Sequence, residues 1–93
     1  MNPQKIISLV EGYEQELAAL GVPKERMDPS RTFASLTREE ILAHAHYLCG
    51  GVKEYAQDTE RAGKAGRHLA SIQLCLSFAG KYTLEELMAH NSP

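Results

Sequence analysis

Residues 37–61 read TREEILAHAHYLCGGVKEYAQDTER, and this stretch decides the fold. Its apolar residues recur at alternating spacings of four and three, the pattern of one side of an α-helix: Ile41, Ala45, Leu48, Val52 and Tyr55. The stripe crosses Gly50 and Gly51 without interruption, so we expect a single helix that ends near Arg61 and is followed by Gly63. Two helical glycines cost about 1 kcal/mol each relative to alanine. We therefore expect that the helix bends at this point or that a partner approaches it.

Capping boxes mark two helix starts. Thr37 precedes Glu40 by three residues at the start of the long helix, and Thr83 precedes Glu86 at the start of a short final helix, TLEELMAH. In such a box the threonine hydroxyl accepts from the glutamate amide, while the glutamate carboxylate accepts from the threonine amide. The two boxes predict where the second and the fourth helix begin.

Two further stripes share the spacing of the first. One comprises Ile6, Val10, Tyr13, Leu17 and Leu20, and the other comprises Ala65, Leu69, Ile72, Leu76 and Ala79. The stripe from Ile6 to Leu20 predicts a helix over residues 4–20, with Asn2 as its N-cap and Gly21 after its end. The stripe from Ala65 to Ala79 predicts a helix over about residues 64–79, which Gly80 ends.

Three amphipathic helices can bury their apolar sides against one another, which predicts an all-α fold. We expect a three-helix up-down bundle with crossing angles near about 20°, a long connection over residues 21–36 and a short fourth C-terminal helix, all in a single helical domain over residues 1–93. The expected core comprises Ile6, Val10, Tyr13, Leu17, Ile41, Ala45, Leu48, Val52, Leu69, Ile72, Leu76 and Ala79.

The connection reads GVPKERMDPSRTFASL, and its two prolines, Pro23 and Pro29, oppose a continuous helix. One short helical turn is expected over PKERM. A connection of this length is often functional. Four apolar residues along it indicate that it packs against the bundle: Val22, Met27, Phe33 and Leu36.

Composition and charge indicate an ordinary soluble domain. The chain has 93 residues, 43% of them hydrophobic and 24% charged, and a net charge of −2. It lacks the basic excess of most nucleic-acid-binding domains. It also has neither a secretory signal nor an apolar run of the about 20 residues that span a bilayer, so we expect a cytoplasmic protein with no membrane role. Cys49 and Cys75 are then expected to be buried free thiols, although a disulfide between them stays open.

Histidine and cysteine spacing raises the hypothesis of a metal-dependent enzyme. His46 and Cys49 lie three residues apart on the predicted long helix, and His68 or Cys75 would supply a further ligand. Neither an HExxH motif nor a Glu-x-x-His pair accompanies them. The favoured interpretation has no metal, no cofactor and no catalytic residue. In it, His44 and His46 lie half-exposed at the helix flanks, and His68 is a structural histidine that faces the core.

Arg61, Lys64 and Arg67 form a basic turn between the second and the third predicted helix. Contact of these cations with phosphate groups would make the chain a nucleic-acid-binding accessory protein, which is the alternative function. The favoured interpretation is a solvated turn whose charges pair with Asp58 and Glu60.

Two apolar residues of the third helix lie outside its stripe. Leu74 and Phe78 are four residues apart and point away from the stripe, and Tyr47 on the second helix also faces outward. Either the connection or the final helix covers them, or they form an interface for a second copy or another protein. Both explanations stay open at this point. The second would make the chain a non-enzymatic interaction protein that forms a homodimer, with Tyr47, Leu74 and Phe78 as interface residues.

Five segments between residues 36 and 91 form a recognisable combination: TREE, HAHYLCGG, RAGKAGRHL, IQLCLSFAGKYTLEEL and a final HN. Together they resemble small bacterial or prophage-borne helical proteins. The resemblance implies a small accessory or regulatory protein rather than a metabolic enzyme, and it carries over no catalytic residue.

Overall fold

A computed structural model describes residues 1–93, apart from the side chain of Ala62. The described chain forms four α-helices: α1 (Pro3–Ala19), α2 (Arg38–Ala56), α3 (Ala62–Phe78) and α4 (Leu84–Asn91). Two short 3-10 turns lie at Phe33–Ser35 and Thr59–Arg61. Helical residues make up 72% of the chain, and the described residues include no strand. The predicted all-α class is therefore confirmed, while the up-down order of the helices and the single domain stay predictions.

Left-handed glycines end two of the helices, as the sequence predicts. Gly21 has a φ of 76° at the end of α1, and Gly80 has a φ of 79° at the end of α3. The amide of Val22 donates to the Leu17 carbonyl at 3.0 Å, which satisfies a carbonyl of the last turn of α1. Only glycine adopts this backbone conformation without strain from a Cβ atom.

The end of α2 differs from the prediction. The helix passes through Gly50 and Gly51 as expected, but it ends at Ala56 rather than near Arg61. Asp58 explains the earlier end, because its carboxylate accepts the Glu60 amide at 2.9 Å and its carbonyl accepts the Arg61 amide at 3.0 Å. Aspartate side chains compete in this way with helical hydrogen bonds.

The predicted boundary between α2 and α3 is also wrong at the start of α3. Gly63 was expected after the end of the long helix, yet it lies in the first turn of α3 with no positive φ. The turn built by Asp58 reverses the chain before this glycine is reached. The two capping boxes are confirmed at α2 and α4, where both threonine hydroxyls accept the amide three residues on at 3.1 Å.

The core follows the predicted stripes on α1 and α3 but is shifted on α2. Ten of the twelve expected core residues are buried, whereas Ile41 and Leu48 are only half-buried. Leu42 and Cys49 are buried instead. The reason is that α2 packs against both α1 and α3. The buried arc of this helix is therefore wider than the single predicted stripe.

The connection over residues 21–36 packs against α2, although its expected helical turn is absent. Residues 23–27 are not helical, and a 3-10 turn forms at Phe33–Ser35 instead. The segment is pinned by its backbone, because the Glu25 amide donates to the Ala43 carbonyl at 3.2 Å. None of the described helices combines the length and the apolar composition that crossing a lipid bilayer would require.

Candidate protein interface

Five large apolar side chains are exposed along one side of the molecule. Leu74 and Phe78 of α3 and Leu84 and Met88 of α4 are between 59% and 71% exposed. Phe33 of the connection is 45% exposed. These five residues are named the apolar face. Contiguous exposed apolar surface of this kind is typical of an interaction site.

Shallow grooves join the residues of the apolar face. A groove of about 260 Å³ lies among Phe33, Leu74 and Phe78, with Cys75 at its floor. A second groove, of about 200 Å³, lies between Leu74 and α4. A third groove, of about 370 Å³, lies between Phe33 and Phe78 on the side of Ile41. Since neighbouring grooves share side chains, the apolar face is one surface.

The apolar face carries no charge. Among the described residues, no Asp, Glu, Lys, Arg or His side chain lines any of the three grooves. Hydroxyl and amide side chains, such as those of Ser71 and Gln73, also line these grooves. An uncharged surface can meet an identical surface without repulsion between like charges.

Neither the connection nor α4 covers the outward residues of α3. Leu87 is the buried residue of α4, so Leu84 and Met88 point away from the bundle. They lie four residues apart on one side of α4, as Leu74 and Phe78 do on α3. The short helix therefore lies beside the exposed pair and enlarges the apolar face.

A buried polar network fixes the position of α4. The Gln73 side chain donates to the Tyr13 hydroxyl oxygen at 3.1 Å and to Asn91 Oδ1 at 2.7 Å, and its Oε1 accepts from Asn91 Nδ2 at 3.0 Å. The Tyr13 hydroxyl oxygen also lies 2.8 Å from His90 Nδ1, within hydrogen-bond distance. Burial raises the pKa of the Tyr13 hydroxyl.

A second set of contacts closes the same end of the bundle. The Tyr82 hydroxyl donates to the Glu16 carboxylate, and Lys81 Nζ lies 3.2 Å from that carboxylate. The Tyr82 ring meets the His90 ring edge-on, with 4.7 Å between the centroids. Burial raises the pKa of the Tyr82 hydroxyl, and the adjacent Glu16 charge raises it further. Neither set of contacts was predicted from the sequence. The one signal for the first set is Gln73, a polar residue on the buried side of α3.

Tyr47 lies outside the three grooves of the apolar face and lines a separate groove with Gly51, Tyr55 and His68. Its ring, 44% exposed, stacks on the His44 ring with 6.1 Å between centroids and an interplanar angle of 21°. His44 in turn meets Phe33 at 5.8 Å. Of the three predicted interface residues, Leu74 and Phe78 lie in the apolar face, whereas Tyr47 lines none of its three grooves and is linked to Phe33 only through the buried His44.

His44 and His46 are buried, which corrects the expectation that they lie half-exposed. They are 8% and 5% exposed, because the connection covers both rings. The Met27 amide donates to His44 Nδ1 at 3.1 Å, whereas His46 Nδ1 lies 2.9 Å from the Val22 carbonyl. A carbonyl only accepts, so His46 Nδ1 donates while His44 Nδ1 accepts. Burial and the nearby Arg26 charge lower the pKa of His44.

His68 lies half-exposed at the flank of α3, which corrects its expected position in the core. Its Nδ1 lies 2.9 Å from the Lys64 carbonyl, and its ring lies 5.2 Å from that of Tyr55. Leu69 and Ile72 are buried in the core, whereas His68 lies at the edge of the side of α3 that meets α2, where it contacts Tyr55.

The three residues of the metal hypothesis are not brought together. Among the described residues, no group of three His, Cys, Asp or Glu side chains is placed to hold a metal ion. The Cys49 thiol donates to the Ala45 carbonyl at 3.3 Å, and burial raises its pKa to about 12. Burial raises the pKa of Cys75 to about 11, and both cysteines are free thiols. The predicted free, buried state of the two cysteines is confirmed.

The basic turn is built around an aromatic ring. Lys64 Nζ lies 4.4 Å and the Arg61 guanidinium carbon 5.7 Å from the centre of the Tyr55 ring. Arg61 also lies 3.6 Å from the Asp58 carboxylate, which is the predicted pairing. Arg67 is exposed. Ion pairs and cation–π contacts at such exposed sites contribute little stability.

Comparisons with known proteins leave the geometry as the basis for assigning a function. The chain matches no protein-family model, no curated protein and no solved structure.

Proposed function

We propose that this protein is a small non-enzymatic interaction protein that forms a homodimer through the apolar face. One observation carries the proposal: five large apolar side chains from three elements form an exposed, uncharged surface. Removing such a surface from water is the main driving force of protein association, at about 25 cal/mol per Å² of apolar area. The up-down order of α1 to α3 within a single domain is part of this proposal.

A second copy of the chain fits the apolar face better than a charged partner does. In a two-fold dimer the same surface contributes from both copies, so it must tolerate contact with itself. A surface without charge meets this condition, and it offers no counter-charge to an acidic or basic partner. The pairs Leu74–Phe78 and Leu84–Met88 also form ridges on two neighbouring helices, which the grooves beside them can receive from the other copy.

Sedimentation of three forms of the protein tests the proposal. The wild-type chain is expected to sediment as a dimer at high micromolar concentration. The Leu74→Ser, Phe78→Ser double variant is expected to be monomeric, with a dissociation constant raised at least about 100-fold, because both central apolar anchors are lost. Its far-ultraviolet circular dichroism should match that of the wild type.

Leu20→Ser is the matched control. Leu20 is 60% exposed but lines none of the three grooves, so this variant should dimerise like the wild type. A wild-type monomer, or a double variant that still dimerises, would contradict the proposal.

A nucleic-acid-binding role is the second candidate, because the basic turn places two cations against an aromatic ring. Proteins that bind single strands combine cationic and aromatic side chains in this way. Fluorescence anisotropy with a labelled oligonucleotide should then show binding that weakens with salt. Charge reversal at Arg61, Lys64 and Arg67 should abolish it.

The cellular setting is proposed from sequence. The resemblance of residues 36–91 supports a bacterial protein with an accessory or regulatory role of the phage-associated kind, and a cytoplasmic location is a separate part of the proposal. The metal-dependent alternative on His46, Cys49 and His68 has no contact among these residues to support it. Elemental analysis of untagged protein tests that alternative directly.

A further inference from the structure

We propose that protonation of His44 releases the connection at Met27 and thereby weakens dimerisation through the apolar face. The inference deepens the proposed function, on which it rests, since it concerns how the same face is regulated. It starts from the observation that one imidazole touches both the backbone of the connection and a residue of the face.

The hydrogen bond between Met27 and His44 requires a neutral imidazole. The Met27 amide is a donor, so the Nδ1 atom of His44, at 3.1 Å, must offer a lone pair. An imidazolium carries a proton on both nitrogens and would place two N–H groups against each other. This contact cannot persist once His44 is charged.

The surroundings of His44 disfavour a charge on its ring. The ring is 8% exposed and lies between the rings of Phe33 and Tyr47. Arg26, on the connection, is the charged group that acts on it, and it repels an imidazolium. Tyr47 is the other titratable group in contact, from α2 itself. Among the described residues, no carboxylate forms an ion pair with His44.

The sign of the pH dependence follows from these contacts. Burial and Arg26 lower the pKa of His44 while its hydrogen bond to Met27 is formed. The state with this bond therefore binds fewer protons than the state in which the bond is broken. The contribution of the contact is fully present above the ordinary histidine pKa of about 6.5 and decreases as the pH falls below it. The hydrogen bond between Met27 and His44 is therefore formed at neutral pH and broken in acid.

Release at His44 reaches the apolar face through Phe33. The Phe33 ring lies 5.8 Å from the His44 ring and lines two of the three grooves beside Phe78. A charged imidazole must move toward water, and Phe33 is one of the side chains that cover it. Arg31 holds the same segment through an ion pair with Glu40, but both side chains are exposed, and such pairs contribute little.

His46 provides an internal contrast. Its Nδ1 donates to the Val22 carbonyl, and it continues to donate after protonation. The two histidines hold the same connection, yet only the bond of His44 is lost when the ring is charged.

The first measurement concerns the contact alone. In the Leu74→Ser, Phe78→Ser double variant, nuclear magnetic resonance follows the Met27 amide between about pH 8 and about pH 5, the range in which histidine titrates. The amide signal is expected to shift with the same midpoint as the His44 ring protons. A Met27 amide that does not respond to pH would overturn the inference, whatever the oligomeric state.

The second measurement concerns the coupling to the face. Between about pH 7.5 and about pH 5.5 the dissociation constant of the wild-type dimer should rise by up to about tenfold for each His44, and therefore by up to about 100-fold for the two copies together, since one pH unit below the ordinary pKa changes the balance at each histidine by up to about tenfold. His44→Asn keeps an acceptor oxygen near the Nδ1 position and does not titrate, so its dimer should be insensitive to pH over this range. His46→Asn should retain the wild-type pH dependence.

Three results would overturn the coupling: a wild-type dimer insensitive to pH, a His44→Asn dimer that weakens as much as the wild type, or loss of the pH dependence in His46→Asn. A wild-type chain that is monomeric at every pH would overturn the proposed function together with the coupling. The Met27 titration would still decide the fate of the contact itself, so the two failures can be told apart.

Discussion

The two sides of α3 carry similar apolar residues and meet opposite surroundings. Leu69, Ile72 and Leu76 face α2 and are buried, whereas Leu74 and Phe78 face outward and are exposed. The difference lies in the neighbour: α2 is long enough to cover one side, while α4 is held beside the other by Leu87 and the network at its end. An apolar helix side therefore becomes core or interface according to the partner that the rest of the chain supplies.

The largest expected effect on stability comes from truncating a side chain on the inward side of α3. Leu76 is fully buried, so Leu76→Ala should lower the free energy of unfolding by about 2–5 kcal/mol through lost burial and a cavity. Phe78→Ala, on the outward side of the same helix, should change it by at most about 0.5 kcal/mol in the monomer. Urea denaturation at a concentration where the chain is monomeric measures both. Equal losses would contradict the distinction between the two sides.

A smaller effect is expected where α4 is anchored. Gln73→Ala removes the partner of Tyr13 and Asn91, and an unsatisfied buried polar group costs about 1–3 kcal/mol. Amide hydrogen exchange should then accelerate across α4 more than across α1. Gln57→Ala, at an exposed position after α2, is the control and should leave exchange unchanged. Uniform acceleration in both helices would mean that the network does not specifically hold α4.

The smallest expected effect is a gain in stability rather than a loss. An added Cβ at Gly50 would meet no atom within 4 Å, so Gly50→Ala should stabilise the fold by about 0.5–1 kcal/mol. Gly21→Ala should instead destabilise it, because Gly21 has a φ of 76°. Thermal unfolding compares the two variants. A destabilising Gly50→Ala would contradict the open space around this position of α2.

The helix ends that were predicted correctly are determined by local sequence signals. The capping boxes at Thr37 and Thr83 and the glycines Gly21 and Gly80 act within a few residues, so their outcome depends little on the rest of the fold. Asp58 is also a local signal, and it ends α2 earlier than the continuing stripe suggests.

The remaining errors concern contacts between distant residues. His44 and His46 are buried because the connection folds back over them from Val22 to Met27, which periodicity within α2 does not encode. Tyr13 and Gln73 lie 60 residues apart in sequence and meet only once α1 and α3 are placed. The exposure of Phe33 beside the outward residues of α3 likewise depends on the path of the connection.

The most direct test of the central claim is an isotope-filtered nuclear Overhauser measurement on an equal mixture of labelled and unlabelled chains. Contacts between copies should appear from the Phe78 ring protons to the methyl groups of Leu74, Leu84 or Met88. A dimer without such contacts, or with contacts only at other surfaces, would contradict the assignment of the outward side of α3 as the place where two copies meet.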